Sequence, residues 1–190
     1  MAIGKLTKSN KKIVNNVLGI DVSTNSFAYC LFDHTGPVKW GEVNFTGANT
    51  WERLADGQEK VRAIRDDIKS DLYVVEGAVY VQNKKTVILL SHAIGAVMSV
   101  LVGAGGSADE ISPMTWQNAI GNKAFTKDQK AAVQKANPGK SVSWYSSQYR
   151  KMRKQITMDY VKDKYNITVP NDNQSDAIAL ASVAYEKFKS

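Results

Sequence analysis

An aspartate interrupts the apolar run Val17, Leu18, Gly19, Ile20, Asp21, Val22, which otherwise reads as a buried β-strand. An ionised carboxylate cannot leave water unpaired, so Asp21 implies a positive or hydrogen-bonding partner. The pattern repeats at Leu72 to Val75, a short apolar run that ends on Glu76. A third acid, Asp176, opens the small-residue segment that runs to Tyr185. Three carboxylates far apart in sequence, each at the end or centre of a buried element, suit a site for hard cations held by oxygen ligands. Each also has a purely structural reading. Asp21 could cap a turn, Glu76 could end its strand in solvent, and Asn173 with Asp176 could be the N-cap and an N3 acid of the last helix.

A second pattern has the opposite sign. Between Gly121 and Gln155 stand Lys123, Lys127, Lys130, Lys135, Lys140, Arg150, Lys151, Arg153 and Lys154, against the single acid Asp128. Trp144, Tyr145 and Tyr149 are interleaved with them. Basic residues neutralise phosphates and flat aromatic rings stack on exposed bases, so this stretch reads as a nucleic-acid surface. The plainer alternative is a solvated insertion with its rings tucked onto the core. The whole chain favours the first reading: 25 Lys and Arg against 18 Asp and Glu give a net charge of +7, which points to a polyanionic partner.

A chain of 190 residues is expected to form one domain with a full core. Cys30 is the only cysteine, which excludes an internal disulfide and a cysteine-based zinc site, and His34 with His92 alone make a zinc cluster improbable. The longest apolar stretch, Thr86 to Ala104, is interrupted by Ser91, His92, Gly95 and Ser99. It is expected to be a buried helix rather than a membrane span. With no apolar leader at the N-terminus, an intracellular protein is expected, in the cytoplasm of a host cell if phage-encoded.

The elements that must position these groups follow from periodicity. Residues 1–16 carry Lys5, Lys8, Lys11 and Lys12 and no acid, and read as a flexible basic arm. Val17 to Asp21, Phe27 to Phe32 and Val38 to Phe45, separated by polar turns, predict an antiparallel meander. A helix from about Asn49 to Lys69 follows, then the two-sided buried strand Leu72 to Val75. The apolar helix Thr86 to Val102 lies deep in the fold or in a subunit contact. A last strand at Ala108 to Ile111 and helices from about Ser146 to Tyr165 and Asn173 to Phe188 complete an α/β order of β-β-β-α-β-α-β-α-α. That order predicts a mixed sheet covered by helices on both faces.

Four segments, taken in order, resemble the RuvC-like Holliday-junction resolvases of the RNase H-like superfamily, in their phage-type form. Gly19 to Ser26 is similar to the first-strand motif, and Val74, Val75 and Glu76 to the fourth-strand motif. Ile111 to Gly121 is similar to the segment after the fifth strand, and Asn173 to Ala181 to the last-helix motif. The resemblance covers Val17 to about Ala184. It implies an RNase H-like five-stranded mixed sheet in the order 3-2-1-4-5, over residues 17–190, with a basic aromatic insertion at about 121–150. It implies a metal-dependent hydrolase, a structure-specific endonuclease of DNA recombination that nicks four-way junctions in pairs. Asp21, Glu76, Asn173 and Asp176 would be its catalytic residues, and with Asp172 the ligands of two Mg²⁺ for which Mn²⁺ can substitute. Branched DNA would be the partner, with no membrane, and symmetric cutting implies a homodimer. Two departures stand out. The family places an acid where this chain has Asn173, so either Asp172 fills the role or the charge is lost, and Asn173→Asp is expected to raise activity. Bacterial members carry a junction-opening aromatic three residues after the fourth-strand acid, where this chain has Val79 with Tyr80 beside it. Rival readings are an RNase H-like nuclease acting on RNA or RNA–DNA hybrid, and a non-catalytic junction-binding protein.

Overall fold

Helices cover both faces of the central strands, which is why β1 (Asn16–Val22) and β4 (Leu72–Glu76) read as continuous apolar runs instead of alternating ones. The computed structural model describes residues 13–77, 83–103 and 105–189. The basic arm at 1–16 therefore lies largely outside the described residues. What is described of it belongs to the body: Val14 packs on the core, and the Asn15 amide donates to Asp71 Oδ2 at 2.9 Å.

β2 (Ser26–Asp33) and β3 (Gly36–Asn44) join β1 as an antiparallel meander, and β4 and β5 (Ser107–Ile111) are added in parallel on its other side. The resulting order, β3-β2-β1-β4-β5, is the one the resemblance implies. Side chains alternate across a strand, so β1 serves two cores. Leu18, Ile20 and Val22 meet Val61 of α1 (Thr50–Asp67) and Val97 and Leu101 of α2 (Lys84–Val102). Val17 meets the opposite layer, built from α3 (Pro113–Ala119), α5 (Val142–Tyr165) and α6 (Asp172–Phe188) through Trp116, Val161, Ile178 and Leu180. Asp21 shares that second face.

α6 lies almost on the sheet. Its inward residues are small, Ala177, Ala181 and Ala184, and all are fully buried. A Cβ added at Gly19 would stand 2.6 Å from the Ala181 backbone nitrogen, so the absence of a side chain in β1 sets how near α6 can come. That approach brings Asp176 to the level of the strand ends.

Three expectations change. α2 is not deep in the fold: only Ala93, Val97, Val100 and Leu101 are buried, and Ile88 stands 55% exposed. By length and composition it could cross a membrane, but one stripe of it packs on the sheet and α1. Uniform hydropathy cannot reveal which face meets a core. The other two changes are helices the periodicity did not show. α3 is short and starts at a Ser112 cap followed by Pro113, a residue suited to the first helical position. α4 (Lys127–Ala136) starts at a capping box between Thr126 and Gln129 and buries no residue. With no apolar stripe, α4 leaves only its cap as a signal.

Candidate active site

The carboxyl ends of β1 and β4 lie side by side, the usual place for a site in an α/β sheet. Val74 pairs with Gly19, so two residues on, Glu76 comes beside Asp21 on the α6 face. In the other direction Asp21 is registered with Ala28, and Ala28 with Glu42. Glu42, Ala28 and Asp21 thus form one row across three strands.

α6 delivers the remaining acids. Asn171 caps it, accepting from the Gln174 amide at 3.1 Å, and Asp172 and Asp176 follow one turn apart on one side of the helix. The first turn is held from two directions. Lys154 of α5 forms an ion pair with Asp172. From the sheet, Glu42 accepts from the side-chain amides of Asn171 and Asn173, each at 2.6 Å. Glu76 is oriented by the buried Trp116, whose indole nitrogen donates to it at 2.9 Å.

The electrostatics are those of half-buried acids that repel one another, with Lys154 the cation paired among them. Burial pushes the Asp21 carboxyl well above its ordinary range, and Glu76, Asp176, Asp172 and Glu42 add to the push. Among the described residues no donor reaches its carboxylate by a hydrogen bond. Asp176 is pushed up to about 7, first by burial and then by Glu76 and Asp172, with Lys154 and the Thr157 hydroxyl opposing. Burial also raises Glu76, and the Trp116 bond partly offsets it. Among the described residues no three such side chains are drawn close enough to enclose an ion ready-made. Repulsion at short range keeps carboxylates apart until a cation screens them. A half-buried carboxylate without a donor, among oxygen-bearing neighbours, has the chemistry of a hard-cation ligand.

A cleft of about 410 Å³ opens onto Glu76 and Asp176. Its other wall comes from the basic stretch: Tyr149, Arg150, Arg153 and Lys154 of α5. This is the part of the stretch that the fold brings to the acids. Lys123, Lys127, Lys130, Lys135, Lys140 and Lys151 are exposed outside the cleft. Arg153 is committed to the wall itself, donating to Gln117 Oε1 at 2.6 Å and to the Asn122 carbonyl at 2.9 Å. The buried Asn122 closes this network by donating to Thr157 Oγ1 at 3.0 Å. The aromatic residues also serve the fold first. Tyr149 donates its hydroxyl to the Lys130 carbonyl at 3.2 Å and Tyr145 donates to that of Asn137, which staples α4 onto α5. Trp144 packs edge-on against Tyr145, with the Lys140 ammonium 5.8 Å from its ring centre. Tyr80 lies outside the described residues.

Sequence reasoning missed Glu42, Trp116 as the partner of Glu76, and Asn122. Only Glu42 carried a signal, as an acid inside a strand.

No family model matches this chain. Among curated proteins it is 27% identical over 124 residues to the crossover junction endodeoxyribonuclease RuvC of Aliarcobacter butzleri, covering 63% of this chain and 80% of that one. It is 26% identical to the Helicobacter pylori (strain P12) protein of the same name, over 63% and 79%. Among solved structures, Thermus thermophilus RuvC in complex with a Holliday junction substrate superposes with a TM-score of 0.65 at 14% identity, over 90% of this chain and 95% of that one. The yeast mitochondrial Holliday junction resolvase Ydc2 gives 0.54 at 14% identity, over 95% and 87%. Sheet order and flanking helices define the RNase H-like class of fold. Within that class the chain is similar in sequence to the RuvC proteins named above.

Proposed function

We propose that this chain is a divalent-cation-dependent endonuclease that resolves four-way DNA junctions by paired nicks. The observation that carries the reading is the shared cleft, where Glu76 and Asp176 face Arg150 and Lys154 across one opening. Acids alone would repel a phosphodiester, and bases alone would bind it without cutting.

Asp21, Glu76 and Asp176 would hold the cations, with Asp172 and Asn173 at the margin. Two Mg²⁺ bound there, or Mn²⁺ in their place, would supply positive charge opposite the scissile phosphate and acidify the attacking water. The chain's own residues do the rest. Trp116 fixes which Glu76 oxygen faces the opening, and α6 presents Asp172 and Asp176 from a capped, rigid turn. Arg150 and Lys154 meet the phosphate backbone and set its path past the acids, and the projection formed by α4 and α5 extends that basic track along the duplex. Cleavage of this kind leaves 5′-phosphate and 3′-hydroxyl ends.

Symmetric nicks require two such sites about a two-fold axis, hence a homodimer. The outer face of α2, with Ile88 exposed and His92 stacked 5.7 Å from the exposed Trp51, is the contact surface we assign to it. Resolution of junctions formed in DNA recombination goes with an intracellular location.

A labelled four-way junction, a linear duplex and an RNA–DNA hybrid, each with Mg²⁺ or chelator, test the substrate class. The junction should be cut with Mg²⁺ alone. Preferential cutting of the hybrid would assign the site to another nuclease activity, and junction binding without cutting would make the chain a binding protein.

The α4–α5 projection has its own test. Replacing Lys135, Lys140, Arg150 and Lys151 together by Ala should flatten the salt dependence of binding, by roughly 0.9 in slope for each phosphate left without its cation. Trp144→Ala removes stacking worth about 1–3 kcal/mol per base and should lower the preference for a junction over duplex with the slope unchanged. Salt titrations of both variants on both substrates separate the effects. An unchanged slope in the first would make the projection a bystander.

A further inference from the structure

Glu42 has no role in the sequence motifs, yet it is the only side chain of β3 that reaches α6 by hydrogen bonds among the described residues. Its carboxylate accepts from Asn171 Nδ2 and from Asn173 Nδ2, both at 2.6 Å. The first contact makes Asn171 a two-ended brace. Its oxygen caps α6 at the Gln174 amide, and its nitrogen ties that cap to the sheet. The second contact accounts for the residue at position 173. An amide there donates to Glu42, whereas a carboxylate would meet another carboxylate at hydrogen-bond distance. Neither partner of Glu42 is charged, and no Lys or Arg among the described residues pairs with it. It therefore stands in the row that contains Asp21 with neutral amides, and no cation, as its partners.

We infer that Glu42 is a positioning residue of the proposed site, which supplies from β3 the negative charge that Asn173 does not carry and locks the first turn of α6 against the sheet. The inference rests on the divalent-cation reading above. Positions 42 and 173 then hold one acid between them. The expectation that Asn173→Asp raises activity is revised accordingly: with Glu42 in place, a second carboxylate brings repulsion instead of gain.

Charge exchange between the two positions tests this. Glu42→Gln keeps hydrogen-bonding capacity, since glutamine offers an oxygen to Asn171 and the Asn173 amide can turn, so it removes mainly charge. With the full chain, the readouts are the Mg²⁺ concentration for half-maximal single-turnover cleavage, the rise in melting temperature on adding Mg²⁺ or Mn²⁺ without DNA, and junction binding in chelator. Glu42→Gln should need about tenfold more Mg²⁺, the scale on which outer partners of a metal site act. It should also lose most of the divalent-induced rise in melting temperature, with junction binding unchanged. Asn173→Asp should gain nothing. The double variant Glu42→Gln, Asn173→Asp restores one charge and a donor for it, and should recover most of the Mg²⁺ response. A Glu42→Gln protein with the wild-type Mg²⁺ requirement, or a double variant no better than Glu42→Gln, overturns the inference while leaving the proposed function standing. A wild-type protein with no divalent response overturns both.

Discussion

Asp21→Asn is expected to abolish divalent-dependent cleavage and, in the same protein, to raise the melting temperature of the metal-free form at pH 8. The two effects share one cause. Burial pushes the Asp21 carboxyl upward first, and four neighbouring acids push it further. A folded-state pKa above the unfolded one means that the native chain keeps a proton the unfolded chain has released. Such a group costs stability as pH rises from the ordinary carboxylate range, near 4, through its folded value. Asp176, pushed up to about 7, acts with the same sign, so the metal-free wild type should lose stability between about pH 4 and pH 7 and remain low above that. Removing the Asp21 charge relieves its share of this penalty at pH 8. Mg²⁺ should relieve it in the wild type and do little for the variant. Melting curves at pH 5.5 and pH 8, with chelator and with Mg²⁺, read the whole set. A variant less stable than wild type at pH 8 in chelator would show that Asp21 is held by a structural partner.

Gly19→Ala should cost more than any surface change. The added Cβ would lie 2.6 Å from both the nitrogen and the Cβ of Ala181 and 2.7 Å from its Cα, and backbone cannot step aside as a flexible side chain can. Overpacking of a filled core costs about 1–3 kcal/mol, and this contact lies at the severe end. α6 would shift outward and carry Asp176 with it. Because displacement of a catalytic group by about 1 Å can cost 100-fold in rate, cleavage should fall by roughly that factor even where the variant stays folded. Gly95→Ala, on the α2 face assigned to the dimer, is a contrast for stability of the single chain only, since its Cβ meets nothing within 4 Å and replaces glycine inside a helix. It should stabilise by about 0.5–1 kcal/mol. Equal melting temperatures for wild type and Gly19→Ala would mean that α6 is not seated by β1.

The acids were legible because a carboxylate in an apolar run is a local contradiction, visible without any contacts. Their common face came with the resemblance, whose sheet order sets β1 beside β4; the element order alone links β4 through α1 to β3. Glu42 was not legible, and the reason is a single residue. The hairpin pairs Asp33 with Gly36 and Phe32 with Pro37, but Leu31 with Lys39, so β3 bulges between them. Counting back from the turn without the bulge would pair Glu42 with Phe27 and turn it toward the α1 and α2 layer. The extra residue carries it to Ala28 and the α6 face. Which residues of the basic stretch line the cleft was not legible, because that depends on the face with which α5 packs on α6. α2 shows the same failure, since strong hydropathy gave the helix and could not tell its buried stripe from its exposed one.

The most direct measurement maps the cuts on a four-way junction labelled at the 5′ end of each strand in turn, with wild type and Asp21→Asn, in Mg²⁺ and in chelator. Paired nicks at symmetry-related positions are expected from the wild type in Mg²⁺, and none in chelator or with the variant. Nicks that persist in chelator, or that Asp21→Asn makes at the wild-type rate, would contradict a divalent site built on the α6 face of this sheet.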